Sequence, residues 1–560
     1  MSLTKATYSM IDGAPINIKD YGAVGNGVVD DTAAIQAAIN VAVSTAVMQA
    51  VYIPEGVYKT TSPLTITNTP LLKSGFTMFG DGKSSQIYNA GTGTGIQMSS
   101  AGDGGFLTDI VFRNFSLRGA GATGGIGFAL GIGTEPMWGT TLDGLTIYDI
   151  GQEAIWAYNA SQTIRISYCT ITSTGMAGVY DCIQIGPNST YVSVTDTFVS
   201  GNTKNGFFAG GNTTVVNITG SNFSGCASSG ITLSGVQGGA ITGTYAGTGC
   251  STPIVLNSNC QGISINGCWA DSGSNVGILL NGTFGCSVIG CYIDQNGVGG
   301  IALLGTNDGV SIKSNYFLGN STAATGYKSD IYVNGCNGGE IVNNYLDGQI
   351  YAGGVNVNND YAIVIASANS LTVKNNSSTN HIYATVAIES SLNVISCNIG
   401  SNSGTGTSAD PTTIVSTDVS DPSLILSRNY LADMPRTSLP NSDFTGRQKV
   451  FGPFNHRRTT LTYTASITPD LDSGELFQIV ATNNTAFTIN SPANLATSDE
   501  FTVLLLNQSG GALGAVTWGS IYKLGSGFTS PTNSQCAILK FYVYDGNNIF
   551  LTSSSNVAFV

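Results

Sequence analysis

The chain has 560 residues, of which only 9% are charged, and a net charge of −13 set by 20 Lys and Arg against 33 Asp and Glu. A phosphate-binding surface needs clustered cations, so this balance excludes nucleic acid as a partner, and no segment approaches the length of an uninterrupted apolar membrane span, which excludes membrane insertion by a helix. Two histidines, His381 and His456, eleven scattered cysteines and no CxxC pair predict no cofactor, no metal site and no disulfide framework, leaving any chemistry to carboxylates, hydroxyls and a few bases.

Residues 1–15 read as a lead-in. "MSLTKATYSMIDGAP" lacks the basic start and apolar stretch of a secretory signal, which predicts a soluble chain that does not export itself. Residues 16–106 hold a capping motif and the first strands. In "DDTAAIQAAINVAV" either Asp30 or Asp31 is a natural helix N-cap, and Ile35, Ala38, Ile39 and Val43 form an apolar stripe. The stretch from Ile16 to Ile66, "INIKDYGAVGNGVVDDTAAIQAAINVAV" followed by "AVYIPEGVYKTTSPLTI", resembles the opening of the pectate-lyase-like β-helix superfamily, which includes polygalacturonases, rhamnogalacturonases and many bacteriophage tailspike depolymerases. The lead-in "ATYSMIDGAPINIKDYGAVGNG" is most similar to tailspikes. The resemblance implies an all-β fold, a right-handed parallel β-helix whose open N-terminal end is covered by the helix, since an uncovered end exposes apolar surface and unpaired strand edges.

Residues 107–400 are predicted to be that β-helix. Leu145, Cys169, Thr197, Ser221, Thr244, Cys268, Cys291 and Asn315 occupy one equivalent position, with steps of 24, 28, 24, 23, 24, 23 and 24 residues. Short alternating runs separated by Gly, Asn and Ser at this period are the coils of a parallel solenoid. Equivalent positions then stack about 4.8 Å apart, and Cys169, Cys268 and Cys291 are small core residues rather than redox groups.

Stacking gives meaning to "QEAIWAY" at 152–158. Ala154, Cys182 and Gly206 share a column, so Glu153 and Asp181 fall on adjacent coils, with Trp156, Gln184 and Phe208 as an outward ladder and Tyr180 and Lys204 one position before the second and third coils' edge. Aromatic faces beside paired carboxyls suit a sugar: glycoside cleavage uses two carboxyls, one kept protonated by its neighbour. A second pair, Asp271 and Asp294, follows Cys268 and Cys291 by three positions, with Asp347 in the same column further on. The competing reading of both pairs is a solvated turn residue. Many polygalacturonases carry an Asn-Thr-Asp, Asp-Asp and Gly-His-Gly set; this chain does not, which argues against pectin hydrolysis.

Residues 401–458 form a connecting region, and residues 459–560 change to longer alternating strands with a hairpin signal in "YVYDGNNIFLTS", predicting a C-terminal β-sandwich similar to a terminal module of tailspikes. The resemblance implies a homotrimer located in the virion tail, attached to a phage tail or baseplate protein. Its expected activity is endo-acting hydrolysis of a bacterial surface polysaccharide, capsule or O-antigen. A uronate lyase using Tyr180 or Lys204 as base, and a receptor spike that binds without turnover, remain the alternatives. A groove between protomers, with Asp330, Asp360 or Glu389, is a third location for acids.

Overall fold

The computed structural model describes residues 13–44, 49–67, 75–99, 107–132, 137–158, 161–176, 178–323, 326–349, 359–381, 384–388, 394–395, 397–400, 402–406, 414–416, 425–427, 430–431, 458–471, 475–495 and 500–558. The chain divides into two compact units, residues 1–450 and 451–560.

The first unit is a parallel β-solenoid of about 16 turns. Each coil contributes one strand to each of three sheets of 16, 16 and 15 strands. One coil illustrates the rest: Gln162–Ser167 lies in the first sheet, Thr170–Thr174 in the second and Ile183–Ile185 in the third, and each pairs in parallel with Thr190–Thr195, Phe198–Asn202 and Phe207–Gly210 of the next coil. Alternation within the strands sends one set of side chains inward, where like residues stack on like. Ile166, Val194, Ile218, Ile241, Ile265, Val288, Ile312, Ile341, Val373 and Ile399 form one unbroken aliphatic column. Such columns merge into a single continuous core.

The column read from the sequence is a real one. Leu145, Cys169, Thr197, Ser221, Thr244, Cys268, Cys291 and Asn315 each precede a strand of the second sheet that is in register with the next. All the coil cysteines are buried and unbridged.

The one α-helix among the described residues, α1 (Thr32–Ser44), buries Ile35, Ala38, Ile39, Ala42 and Val43 in the same core. The two candidate capping aspartates divide the work. Asp30 accepts from the Thr32 amide at 3.0 Å, while Asp31 accepts from the Val24 and Gly25 amides at 2.7 and 3.1 Å and so ties the preceding loop. Hydroxyl hydrogen bonds from Thr32 and Thr61 hold the Asp30 carboxyl below the usual range. On α1, the Gln36 side-chain amide donates to the Thr65 carbonyl and its oxygen accepts from the Thr65 amide. Thr65 lies in Leu64–Thr67, the end strand of the third sheet, so a side chain satisfies an edge that has no preceding strand.

The second unit has its own core, with Phe477, Ile479, Phe501, Val503, Leu505, Leu539, Phe541 and Val543 at its centre. It contains a six-stranded and a three-stranded sheet. Strand order is mixed rather than antiparallel throughout. Arg458–Leu461, Leu476–Ala481 and Glu500–Asn507 pair in parallel, and only then does the chain return antiparallel through Gln535–Asp545 and Asn548–Ala558. The hairpin signal holds: Asp545 pairs with Asn548 across the turn, and its carboxylate accepts from the Asn547 amide at 2.8 Å. No helix among the described residues is long and apolar enough to cross a membrane.

Candidate active site

The first carboxylate pair sits at the edge of the third sheet. Ile155, Ile183 and Phe207 are in register, as are Trp156, Gln184 and Phe208, so Glu153 and Asp181 occupy adjacent coils followed by Asn205. Neither carboxyl is a solvated turn residue, since Glu153 is 4% and Asp181 2% exposed. Asp181 is heavily engaged: Lys204 Nζ lies 3.0 Å from Oδ2 and Asn205 Nδ2 donates to Oδ1 at 2.7 Å. Glu153 is the opposite case. Its Oε2 is buried with no hydrogen-bond partner among the described residues, and burial, reinforced by the Asp181 charge, pushes its pKa up. Trp156, Gln184 and Phe208 are only half-buried, as is Tyr180. Trp156 stacks on Tyr158 with ring centroids 4.2 Å apart, and the Lys204 ammonium lies 5.8 Å from the Phe208 ring centroid.

The second pair lies on the outer face of the second sheet, five coils further along. Trp269 and Asp271 are two residues apart in Trp269–Asp271 and therefore share a face, as do Tyr292 and Asp294 in Tyr292–Asp294. The strands are in register, placing Asp271 beside Asp294, then Leu318 and Asp347. The same register lines up an aromatic row: Tyr245, Trp269, Tyr292, Tyr316 and Tyr345, each ring 5.1 to 5.6 Å from the next. This row was missed in the sequence, although "TYAG", "CWAD", "CYID", "NYFL" and "NYLD" repeat an aromatic residue at a fixed offset from the core column.

The two carboxyls differ sharply in surroundings. Asp271 accepts from three hydroxyls: Tyr245 at 2.8 Å and Thr248 at 3.3 Å on Oδ2, and Ser272 on Oδ1. Asp294, 2% exposed, accepts from the Trp269 indole at 2.7 Å. Burial raises the Asp294 pKa to about 6; the indole hydrogen bond opposes that rise, and the adjacent Asp271 charge and hydrogen bond add to it. At the start of the same two strands is a depression of about 430 Å³ lined by Gly267, Cys268, Trp269, Gly290 and Tyr292; neither carboxyl is among its lining residues. Gly267 and Gly290 take the left-handed turn at φ 58° and 62°, a conformation that favours glycine and leaves no side chain at the mouth.

Asp347 accepts from the Gln349 amide and from Asn380 Nδ2 at 3.0 and 2.8 Å. Asp330 is fully buried against His381 at 2.8 Å, and Asp360 pairs with Lys328 at 3.2 Å. Glu389 lies outside the described residues. No group of three or more His, Cys, Asp or Glu among the described residues is arranged to hold a metal ion.

The parallel solenoid is a fold shared with known proteins. Residues 15–278 match the model of the family described as rhamnogalacturonase A/epimerase, pectate lyase-like. Bacteriophage CBA120 tailspike protein 3 is similar in structure, with TM-score 0.51 at 14% identity over 71% of this chain and 64% of that one. PfbA, a surface adhesin of Streptococcus pneumoniae, has TM-score 0.46 at 16% identity over 67% and 93%. The Azotobacter vinelandii mannuronan C-5 epimerase AlgE4 A-module has TM-score 0.42 at 18% identity over 71% and 99%. These likenesses are of fold. No curated protein sequence matches the chain.

Proposed function

We propose that this protein is a phage tailspike depolymerase that hydrolyses internal glycosidic bonds of a bacterial surface polysaccharide, capsule or O-antigen, with Asp294 as general acid and Asp271 as base or nucleophile. The observation that carries this reading is the split between the two carboxyls. Asp294 holds its proton up to about pH 6 while Asp271, on the adjacent coil, receives three hydroxyl donors. Neighbouring carboxyls driven apart by their environments are the acid and base assignment glycoside hydrolysis requires. The open depression and exposed rings supply a sugar-binding face.

Hydrolysis is favoured over β-elimination by charge. A lyase must neutralise a uronate carboxylate, yet from Asn205 to Ile312 the chain contains no Lys, Arg or His. In a parallel solenoid the spatial neighbours of a coil come from the coils just before and after it; the coil that follows Asp294 carries Lys313 and Lys328, and these pair with Glu340 and Asp360. The tailspike assignment draws on the tailspike-like fold and the pectate-lyase-like family match. It carries with it a right-handed coil, α1 covering the N-terminal end, a homotrimer, attachment to a tail or baseplate protein and residence in the virion tail.

A second reading keeps the acids at Glu153 and Asp181, with Trp156, Gln184, Phe208, Tyr180 and Lys204 as sugar contacts. The observation favouring it is the unpartnered, raised Glu153 carboxyl. Reducing-end release from purified host polysaccharide decides between them. Asp271→Asn and Asp294→Asn are each expected to lose at least ~10²-fold in turnover, the scale of a general acid or base. Loss instead in Glu153→Gln and Asp181→Asn moves the site to the first pair. A product absorbing in the near ultraviolet identifies elimination, and binding without any new ends identifies a receptor spike.

A further inference from the structure

The aromatic row extends beyond the acid pair, and it does so unevenly. On the N-terminal side only Tyr245 precedes Trp269, because the next position back is Asn222. On the C-terminal side Tyr316 and Tyr345 continue past Tyr292 for two more coils, and the position after them is Ser377. Trp269 is 46% exposed and Tyr316 and Tyr345 are each 38% exposed, high values for large rings on a sheet. Four steps at the strand spacing of ~4.8 Å make a track about 20 Å long parallel to the solenoid axis. That spacing is commensurate with the advance of one pyranose ring along an extended glycan.

Ring orientation divides the row into two kinds of contact. Tyr292, Tyr316 and Tyr345 are stacked on one another, with planes 8° and 19° apart, so each ring covers a face of its neighbour. Trp269 stands at 89° to Tyr245 and 87° to Tyr292. No neighbouring ring stacks parallel on it, its indole nitrogen is anchored on Asp294, and at 46% it is the most exposed ring of the row. Stacked rings held by their neighbours lose little side-chain freedom on binding, which makes them efficient contacts.

The charge on this face is of one sign. Asp271, Asp294 and Asp347 lie on the same side of the strands as the rings. The nearest cations in sequence are already committed, Lys313 to Glu340 at 2.6 Å and Lys328 to Asp360 at 3.2 Å. A run of uronates or sialic acids laid on this track meets carboxylates with nothing to offset them.

We propose that Tyr245, Trp269, Tyr292, Tyr316 and Tyr345 form a binding track for an uncharged stretch of glycan, lying along the solenoid axis at about one sugar per coil, with Trp269 as the stacking platform and the longer arm toward Tyr345. This rests on the Asp271–Asp294 reading for where the bond is cut, but not for where the polymer lies.

The test is a binding titration of the Asp294→Asn protein, so that turnover plays no part. The probes are cello-, laminari-, malto- and chito-hexaoses as uncharged chains, hexagalacturonate as a polyanion, and the disaccharide of whichever hexaose binds. One or more uncharged hexaoses are expected to bind with an affinity insensitive to salt, hexagalacturonate not at all. Trp269→Ala should weaken hexaose binding roughly tenfold or more. Tyr316→Ala and Tyr345→Ala should weaken the hexaose severalfold and leave the disaccharide unchanged, while Tyr316→Phe and Tyr345→Phe, which keep the ring, should retain most of the affinity. Binding confined to hexagalacturonate, full hexaose affinity in all three alanine variants, or no binding of any probe overturns the track. If the alanine variants lose binding while Asp271→Asn and Asp294→Asn still cleave host polysaccharide, the track stands and the catalytic assignment falls.

Discussion

At Asp294 two requirements pull against each other. The proposed hydrolysis needs a carboxyl that keeps its proton near neutral pH, and burial against Asp271 provides it, but the folded protein must then carry a disfavoured charge at higher pH. The sign follows from linkage. The folded-state pKa of about 6 exceeds the ordinary aspartate value of 3.8, so the folded state binds the proton more tightly than the unfolded chain. The stability this contributes is full below 3.8 and is lost as pH rises through about 6. Asp294→Asn removes the charge and should stabilise the protein by on the order of 1–3 kcal/mol at about pH 8, with little gain near pH 3.5. Unfolding midpoints at the two pH values check this, and equal gains at both would show that the Asp294 charge is not strained by its surroundings. Trp269 moderates the effect, because its indole stabilises the ionised form. The indole thus serves as sugar platform and as a brake on the acid it touches.

At the scale of the element, the column of small polar residues before each second-sheet strand is a hydrogen-bonded spine. At four of its steps the side chain accepts from the backbone amide of the coil before it: Thr197 Oγ1 from Cys169, Ser221 Oγ from Thr197, Cys291 Sγ from Cys268, and Asn315 Oδ1 from Cys291. From Asn315 onward it becomes an asparagine ladder through Asn344, Asn376 and Asn402, each oxygen accepting two bonds from the preceding asparagine. Asn344→Leu should leave the Asn315 backbone amide without an acceptor in the core and remove one of the two bonds its side-chain Nδ2 donates, the one to the Val288 carbonyl remaining, at a cost of roughly 3 kcal/mol, whereas Asn344→Ser, which keeps an acceptor, should cost less. A thermal midpoint in Asn344→Leu no lower than in Asn344→Ser would remove the ladder's role. The sequence reveals this column as far as Asn315 because strand and turn lengths leave steps of 23 or 24 residues with one exception; the later steps of 29, 32 and 26 residues hide it. Turn length is free to drift where strand register is not. For the same reason Glu153, Asp181 and both outer columns were legible as neighbours, while the Lys204–Asp181 contact, offset by one residue, and the Trp156–Tyr158 stack needed side-chain directions that periodicity does not encode. The second unit shows the limit again: alternation marks its strands, but nothing in alternation distinguishes parallel from antiparallel partners.

The whole solenoid presents three outer faces of different composition. The first sheet's outer column runs Arg165, Ser193, Asn217, Ala240, Ser264, Ser287, Ser311, Glu340 and Thr372, a mostly polar row. The second carries the rings and aspartates. The third, beyond Phe208 and Thr232, runs Val255, Leu279, Ala302, Tyr332, Val364 and Ala387, an apolar row on a sheet whose alternate residues already supply the core. Val255, Ala302, Val364 and Ala387 are already buried within the chain, which leaves Leu279 and Tyr332 half-buried, and the homotrimer proposed with the tailspike reading would cover these two. The polar and aromatic faces then remain in solvent, where a polymer reaches them. Light scattering should therefore give a mass near three times 57.7 kDa. Leu279→Asp, at the middle of the apolar row and away from both carboxylate pairs, should release smaller species by burying an unpaired charge in the interface. Those species should still bind the hexaose, because the track is built within one chain. A wild-type mass of a single chain would remove the trimer, and loss of hexaose binding on dissociation would mean that a neighbouring copy completes the track.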